Sequence, residues 1–110
     1  MENKIKVYIA SPYTVGNTTS NVRENIKAGS LLMERGYIPF MPLLTHFADL
    51  LYPKSYEEWM QYDLAWLEMC DCVLRLPGES PGAERELKYA RELGKPVFYS
   101  IKEIVKIYEH

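Results

Sequence analysis

Short, largely apolar β-rich runs alternate with helical segments along this chain, and that alternation is what most restricts its fold. The run 4–10 ends in four consecutive apolar residues, and the runs 71–76 and 97–99 are similarly apolar. Strands without a polar face are typical of parallel sheets that are covered on both sides. The run 37–41 is a fourth candidate strand, and Pro39 within it favours an edge position.

The helical segments between these runs complete the fold prediction. Helices are expected over residues 21–34, 55–70 and 101–108, and between Pro81 and Gly94. This order predicts one α/β domain over residues 1–110, a Rossmann-like or flavodoxin-like three-layer sandwich with a parallel sheet of four to five strands. Right-handed crossovers favour the strand order 2-1-3-4, in which the loops after the first and third strands meet at a ligand-binding crevice.

The first helix carries more apolar surface than a sheet can cover. A helical projection defines the face expected to pack on the sheet, formed by Val22, Ile26, Gly29 and Met33. A second apolar flank lies beside it, formed by Ala28, Leu31 and Leu32. Either a subunit interface or a loop packed over the helix would cover this flank, and the sequence favours neither.

The charge balance narrows the classes of partner. The chain has 13 Lys and Arg against 15 Asp and Glu, a formal net charge of -2 at pH 7, which argues against a nucleic acid polymer or an anionic membrane as partner. No apolar run approaches the roughly 20 residues of a membrane span, and the opening residues show no secretory signal pattern. Cys70 and Cys72 form a C-x-C pair without a nearby histidine, so we expect two reduced thiols, no metal and a cytoplasmic protein.

Residues 74–87 have the pattern of a strand end, a tight turn and a helix start. Ser80 suits the N-cap, Pro81 suits the first turn, and Gly82 permits a ligand to approach the backbone. The free N–H groups at such a helix start attract anions. Glu86, in the second turn, falls within the apolar sector of the helix, about 45° from its centre. An acid there is either a paired structural carboxylate or a functional one.

A second acid occupies another apolar helical face. In the predicted helix 55–70, Asp63 lies within about 20° of the centre of a face that carries two tryptophans. An unpaired carboxylate there would be destabilising or would have a raised pKa. Two interpretations follow: Asp63 caps the N–H groups of a neighbouring loop, or it is a general acid or base in a cleft.

Residues 42–53 are too apolar for a solvated loop. We interpret this stretch as a flap or a short helix that covers the pocket. It contains His46, one of two histidines in the chain. A lone loop histidine is more often a hydrogen-bonding bystander than a ligand contact, and we keep His46 as a candidate pocket residue beside that alternative.

Three further stretches occur in an order that a known family shares. They are residues 7–13, then Asp63 with Cys70 and Asp71, then residues 80–87 with 94–97. They resemble the nucleoside 2-deoxyribosyltransferase-like superfamily, which includes the deoxynucleoside monophosphate N-glycosidases, and the resemblance covers nearly the whole chain. Ser11 stands where that family more often has glycine.

The resemblance implies a role for each candidate site residue. The family's nucleophilic glutamate, four residues after the turn glycine, corresponds to Glu86. Its aspartate that assists proton transfer corresponds to Asp63. Its loop after the first strand and its helix start hold the sugar or the 5′-phosphate, and they correspond to Tyr8, Ser11, Ser80 and Gly82. His46 matches no motif of the family.

The implied activity is cleavage of an N-glycosidic bond, or base transfer, on a nucleoside or a nucleoside 5′-monophosphate. A carboxylate beside C1′ stabilises the oxocarbenium-like state and forms a glycosyl ester, while a second acid protonates the departing base. We expect the helix N-terminus to favour ionised Glu86 and burial to raise the pKa of Asp63. The resemblance also implies a homodimer or homotetramer and no cofactor.

Two other functions stay open on the sequence alone. A nucleotide-binding module that senses or sequesters its ligand would use the same pocket and neither acid. A flavodoxin-like carrier of flavin mononucleotide would use residues 14–18, which loosely resemble a flavodoxin phosphate loop. Nothing obvious in the chain supplies the aromatic pair that sandwiches the flavin.

Overall fold

A four-stranded sheet between two layers of helices organises the computed structural model, which describes residues 4–109. In this range the elements are, in chain order, β1 (Lys6–Ala10), α1 (Thr18–Glu34), β2 (Ile38–Phe40), α2 (Thr45–Leu51), α3 (Tyr56–Glu68), β3 (Cys72–Arg75), α4 (Pro81–Glu92), β4 (Val97–Phe98) and α5 (Ile101–Tyr108). A short 3-10 helix, Pro42–Leu44, precedes α2. Among the described residues, no helix is both long enough and apolar enough to cross a bilayer.

The sheet order is β2-β1-β3-β4, and every neighbouring pair is parallel. This confirms the predicted α/β fold and the strand order 2-1-3-4. Ala10, at the end of β1, is paired with Arg75 at the end of β3. The loops that follow these two strands therefore begin side by side at the switch point, where doubly wound sheets bind their ligands.

Each face of the sheet buries its own apolar cluster. Val7 and Ile9 pack with residues of α1 and α5, whereas Tyr8 and Ala10 pack with residues of α3 and α4. Successive strand residues point to opposite faces, so a strand covered on both sides has no polar face to show in its sequence. Cys70 and Cys72 are buried free thiols, as predicted.

α1 packs on the sheet through a different face from the one predicted. Its buried residues are Val22, Asn25, Ala28, Gly29 and Leu32. Met33, expected to face the sheet, is 48% exposed, and of the predicted second flank only Leu31 stays exposed. On this rotated face the Asn25 amide is buried against polar groups at the end of β1.

Capping groups set the starts of the long helices. α1 begins three residues before the predicted position, because the Asn17 Oδ1 accepts a hydrogen bond from the Ser20 N–H at 2.9 Å. α3 begins after Ser55, which forms a capping box with Glu58. α4 begins after the predicted N-cap Ser80.

Candidate active site

A cavity of about 440 Å³ lies at the carboxyl end of the sheet, on the side covered by α3 and α4. We call it the site cavity. Its walls come from the loop after β1, from the apolar segment 42–53, from α3 and from the start of α4. Its volume falls within the roughly 300–1,000 Å³ typical of small-molecule sites. Of the candidate residues, those that line it are Ser11, Asp63, Ser80, Gly82 and Glu86.

Glu86 projects from the second turn of α4 and is only 6% exposed. The Tyr8 hydroxyl, from the central strand, donates a hydrogen bond to Glu86 Oε2. Burial raises the pKa of Tyr8 well above its ordinary value, and the charges of Glu86 and Asp63 raise it further, so Tyr8 stays protonated as a donor. The family resemblance implied that Tyr8 helps to hold the sugar or the 5′-phosphate, whereas in the structure its hydroxyl is hydrogen-bonded to the Glu86 carboxylate.

Asp63 projects from α3 into the same cavity. Its Oδ1 is buried and, among residues 4–109, has no hydrogen-bond partner. An Asp63 that capped a neighbouring loop would have an N–H donor there, so this oxygen does not fit that interpretation. Burial raises the pKa of Asp63 to about 7, in the direction that the sequence predicted.

The two acids influence each other's protonation. The pKa of Glu86 is raised to about 8, chiefly by burial and also by the charge of Asp63, against the Tyr8 hydrogen bond and the charge of Arg75, which both lower it. Burial thus outweighs the expected help from the helix N-terminus. Near neutral pH the two carboxyls share at least one proton. Glu86 has the higher pKa even with the Tyr8 hydrogen bond, so it holds a proton more strongly than Asp63 does. Hydrogen-bond donation by Tyr8 lowers the cost of the alternative state, in which Glu86 is ionised and Asp63 is protonated.

Contacts between elements hold the two acid-bearing helices in register. Arg85 of α4 donates to both carboxylate oxygens of Glu57 of α3, at 2.7 and 2.8 Å. At the start of α4, the Ser80 Oγ accepts from the Ala83 N–H at 3.0 Å. Arg75 donates to the Gly78 carbonyl at 2.9 Å and so fixes the turn that precedes this cap.

His46 lies beside the cavity rather than in its lining. Its Nδ1 is 2.7 Å from the hydroxyl of Tyr13, which does line the cavity. His46 is therefore connected to the site through its hydrogen bond with Tyr13. The pKa of Asp49, which also lines the cavity, is lowered chiefly by the hydrogen bond from the Lys54 N–H, and the charge of His46 helps to lower it. A direct contact between His46 and a ligand stays a prediction.

The sequence reasoning missed part of the cavity wall. Trp59 donates through Nε1 to Asp49 Oδ1 at 2.6 Å, and the Lys54 N–H donates to the same oxygen at 2.9 Å. The Lys54 ammonium lies 5.5 Å from the centre of the Trp59 ring. The sequence does contain one sign that Asp49 belongs to the site, because it is an acid within the otherwise apolar stretch 42–53. Among the described residues, no group of three His, Cys, Asp or Glu side chains is arranged to hold a metal ion.

Residues 5–100 match the model of a family described as a domain of unknown function (DUF7768). The chain belongs to this family. No curated protein matches this DUF7768 chain.

Solved structures add information about the fold of the DUF7768 chain. A 2-deoxyribosyltransferase from the psychrotolerant bacterium Bacillus psychrosaccharolyticus matches with 25% identity and a TM-score of 0.62, over 84% of this chain and 69% of that one. A 2-deoxyribosyltransferase from Leishmania mexicana matches with 20% identity and a TM-score of 0.64, over 84% of this chain and 61% of that one. The fold is nucleoside 2-deoxyribosyltransferase-like, which confirms the resemblance seen in the sequence.

Proposed function

We propose that this protein transfers the 2-deoxyribosyl group of a nucleoside from one base to another, with Glu86 as nucleophile and Asp63 as general acid and base. The observation that carries the proposal is that two carboxyls on separate helices line one cavity, where burial raises the pKa of both. Buried acids with perturbed pKa values in a cleft are typical of acid–base sites. The likeness to two 2-deoxyribosyltransferases supports the choice of reaction.

The first half of the reaction removes the base. The ionised Glu86 carboxylate attacks C1′ and forms a glycosyl ester, while the bond from C1′ to the base nitrogen breaks and its electron pair stays on the base. Asp63 gives its proton to the departing base, which leaves neutral. Glu86 also stabilises the positive charge that develops on the sugar in the transition state.

The second half reverses these roles. A nitrogen of the incoming base attacks C1′ and displaces Glu86, which regains its negative charge. Asp63, now ionised, takes the proton that the incoming base loses, so the site returns to its starting state. Water in place of the second base would give hydrolysis.

The neighbours of the two acids suit these roles. The Tyr8 hydroxyl stabilises the charged form of Glu86 before attack and after release. Asp63 has a buried oxygen without a donor, so its proton is free to reach a base in the cavity. Trp59, held by Asp49, and Tyr56 offer aromatic surface for a nucleobase.

The charges in the lining favour a nucleoside over its 5′-monophosphate. The lining contains three carboxyls, those of Asp49, Asp63 and Glu86, and one cationic side chain, that of Lys54. A phosphate dianion is unfavourable beside the charge of Asp49 and the single negative charge that Asp63 and Glu86 hold between them in the reactive state, because Lys54 balances only one of these two charges. We therefore propose an uncharged 2-deoxynucleoside as the glycosyl donor.

The test is a panel of 2-deoxynucleosides and their 5′-monophosphates, incubated with and without an acceptor base and analysed for free base and for exchanged nucleoside. We expect exchange with nucleosides when the acceptor is present. Glu86→Gln keeps the shape of the side chain and removes the nucleophile, so exchange should fall by about 10³-fold or more.

The matched control is Glu92→Gln, which removes an exposed carboxylate from the same helix. Its exchange rate should equal that of the wild type. Undiminished exchange by Glu86→Gln would exclude Glu86 as nucleophile. Tight nucleoside binding without base release by the wild type would instead favour a sensing or sequestering module.

A further inference from the structure

Asn25 is a buried amide that the proposed reaction does not use. It lies on the sheet-facing side of α1 and is fully inaccessible to solvent. Its Nδ2 donates to the Ser11 Oγ at 2.8 Å and to the Ile9 carbonyl oxygen at 3.3 Å. We propose that Asn25 is a positioning residue that orients the Ser11 hydroxyl as a hydrogen-bond donor to the 3′- or the 5′-hydroxyl of the bound nucleoside. This inference rests on the proposed function.

The Ile9 carbonyl decides which way the Asn25 amide points. A carbonyl oxygen only accepts hydrogen bonds, so the group that faces it at 3.3 Å must be the NH₂ end of the amide. The opposite rotamer would place two acceptor oxygens against each other. Ser11 Oγ therefore accepts from Asn25, and the Ser11 proton points elsewhere.

The Ser11 proton has no partner within the described protein. Among residues 4–109, the hydroxyl of Ser11 donates no hydrogen bond to a protein group, although its oxygen accepts one. Ser11 follows β1 and lines two cavities, the site cavity together with Glu86 and a cavity between α1 and α5. Since C1′ must approach Glu86 in the proposed reaction, our proposal places the sugar against the wall of the site cavity that Ser11 forms.

Stability does not account for Asn25. Its Oδ1 is buried without a hydrogen-bond partner among the described residues, which is destabilising. The other buried positions of α1 are apolar or glycine. An apolar side chain at position 25 would avoid the orphaned acceptor, although it would lose the 3.3 Å hydrogen bond to the Ile9 carbonyl. These two effects oppose each other, so the shorter contact with Ser11, at 2.8 Å, is the one to which we assign the role of the amide.

The experiment is a double-mutant cycle with Ser11→Ala and Asn25→Leu. Base exchange and calorimetric binding are measured with 2′-deoxyadenosine, 2′,3′-dideoxyadenosine and 2′,5′-dideoxyadenosine. Each single variant should lower kcat/KM for 2′-deoxyadenosine about 3- to 10-fold, the range of one neutral hydrogen bond. The double variant should be no worse than Ser11→Ala, because Asn25 acts through Ser11.

The sugar analogues identify the oxygen that accepts from Ser11. For the analogue that lacks this oxygen, Ser11→Ala and the wild type should have equal kcat/KM values. If Ser11→Ala lowers kcat/KM by the same factor with all three nucleosides, the inference is overturned. Additive effects of the two substitutions would also overturn it.

A control on the same helix separates positioning from general disturbance. Asn21 donates through Nδ2 to the carbonyl oxygens of Tyr13 and Val15, both at 2.9 Å, and does not contact Ser11. The effect of Asn21→Leu should add to that of Ser11→Ala. A wild type that neither binds nor exchanges any of the three nucleosides would overturn the proposed function as well, whereas wild-type exchange with additive effects would overturn this inference alone.

Thermal unfolding without ligand gives a readout that is independent of activity. The Ser11→Ala/Asn25→Leu variant removes both partners of the Ser11 hydrogen bond and the orphaned acceptor, but it also removes the 3.3 Å hydrogen bond to the Ile9 carbonyl. Its Tm should therefore fall by no more than the loss of that one hydrogen bond, about 4–8 °C. A larger fall would make Asn25 a structural residue and overturn the inference.

Discussion

Two cavities of nearly equal volume lie at the carboxyl end of the sheet, one on each face. The site cavity measures about 440 Å³, and a second cavity between α1 and α5 measures about 450 Å³. A helix start borders each, at Ser80 of α4 and at Ser100 of α5. Only the site cavity is lined by the carboxyls of Asp63 and Glu86, so buried titratable groups, rather than volume or a helix N-terminus, distinguish the functional candidate.

The helices that cover each face explain the difference. α3 and α4 each carry one acid in an otherwise apolar sector, and both acids line the same cavity. On the other face, Leu31, Leu74, Leu76 and Ile101 form much of the wall, and the charged Glu24 and Lys27 are exposed. A solvated charge keeps its ordinary chemistry, whereas a desolvated carboxyl becomes an acid near neutral pH.

Of the substitutions that test the difference between the two cavities, Asp63→Asn is expected to have the largest effect on the rate of base exchange. The variant retains the shape of the side chain and removes the general acid, so exchange of adenine or hypoxanthine should fall about 10²- to 10³-fold. A nucleoside whose base leaves as a stable anion should lose much less. Glu24→Gln removes an acid from the second cavity and should leave exchange unchanged. Equal losses with good and poor leaving groups would contradict the role of Asp63.

A smaller effect is expected from Tyr8→Phe. Because the Tyr8 hydroxyl donates to Glu86, its loss raises the pKa of Glu86 and should lower kcat/KM at neutral pH by about 10-fold. The acidic limb of the pH profile, which reports ionisation of the nucleophile, should move to higher pH. Tyr37→Phe is the matched control, since Tyr37 is a buried tyrosine that donates to Glu109. If the acidic limb of the pH profile is the same in Tyr8→Phe as in the wild type, Tyr8 does not control the ionisation of Glu86.

The third effect concerns stability, and how it depends on pH, rather than the rate of exchange. The folded-state pKa values of Asp63 and Glu86, about 7 and about 8, lie above the ordinary values of about 4 in the unfolded chain. Between about pH 4 and pH 8 the unfolded chain therefore loses these protons first, and the free energy of unfolding should fall as pH rises. Each group contributes at most about 1.4 kcal/mol per pH unit.

Chemical denaturation across this pH range measures the slope. Asp63→Asn and Glu86→Gln should each make the decline shallower, because the substituted amide does not titrate. Glu24→Gln, which removes an exposed acid, should keep the wild-type slope. Parallel curves for all four proteins would show that the two buried carboxyls do not have raised pKa values.

The sequence predicted the sheet better than it predicted the faces of the helices. Apolar strands and right-handed crossovers sufficed for the order 2-1-3-4, and the N-cap Ser80 was evident from its neighbours. The predicted face of α1 was wrong because a helical projection assigns the polar Asn25 to the solvent side. The projection cannot take into account a hydrogen-bond partner such as Ser11, 14 residues away in the chain. The same limitation kept Asp49 and Trp59 out of the predicted site.

By itself, the sequence determined that Glu86 and Asp63 occupy apolar sectors of two helices, because helical periodicity is a local property of the chain. Only the tertiary structure decided that Tyr8, 78 residues from Glu86, holds that carboxylate, and that His46 stands behind Tyr13. Partners so far apart in the chain meet only when strands and helices pack. The pKa of a buried acid depends on those partners and on the solvent they exclude, neither of which a local pattern contains.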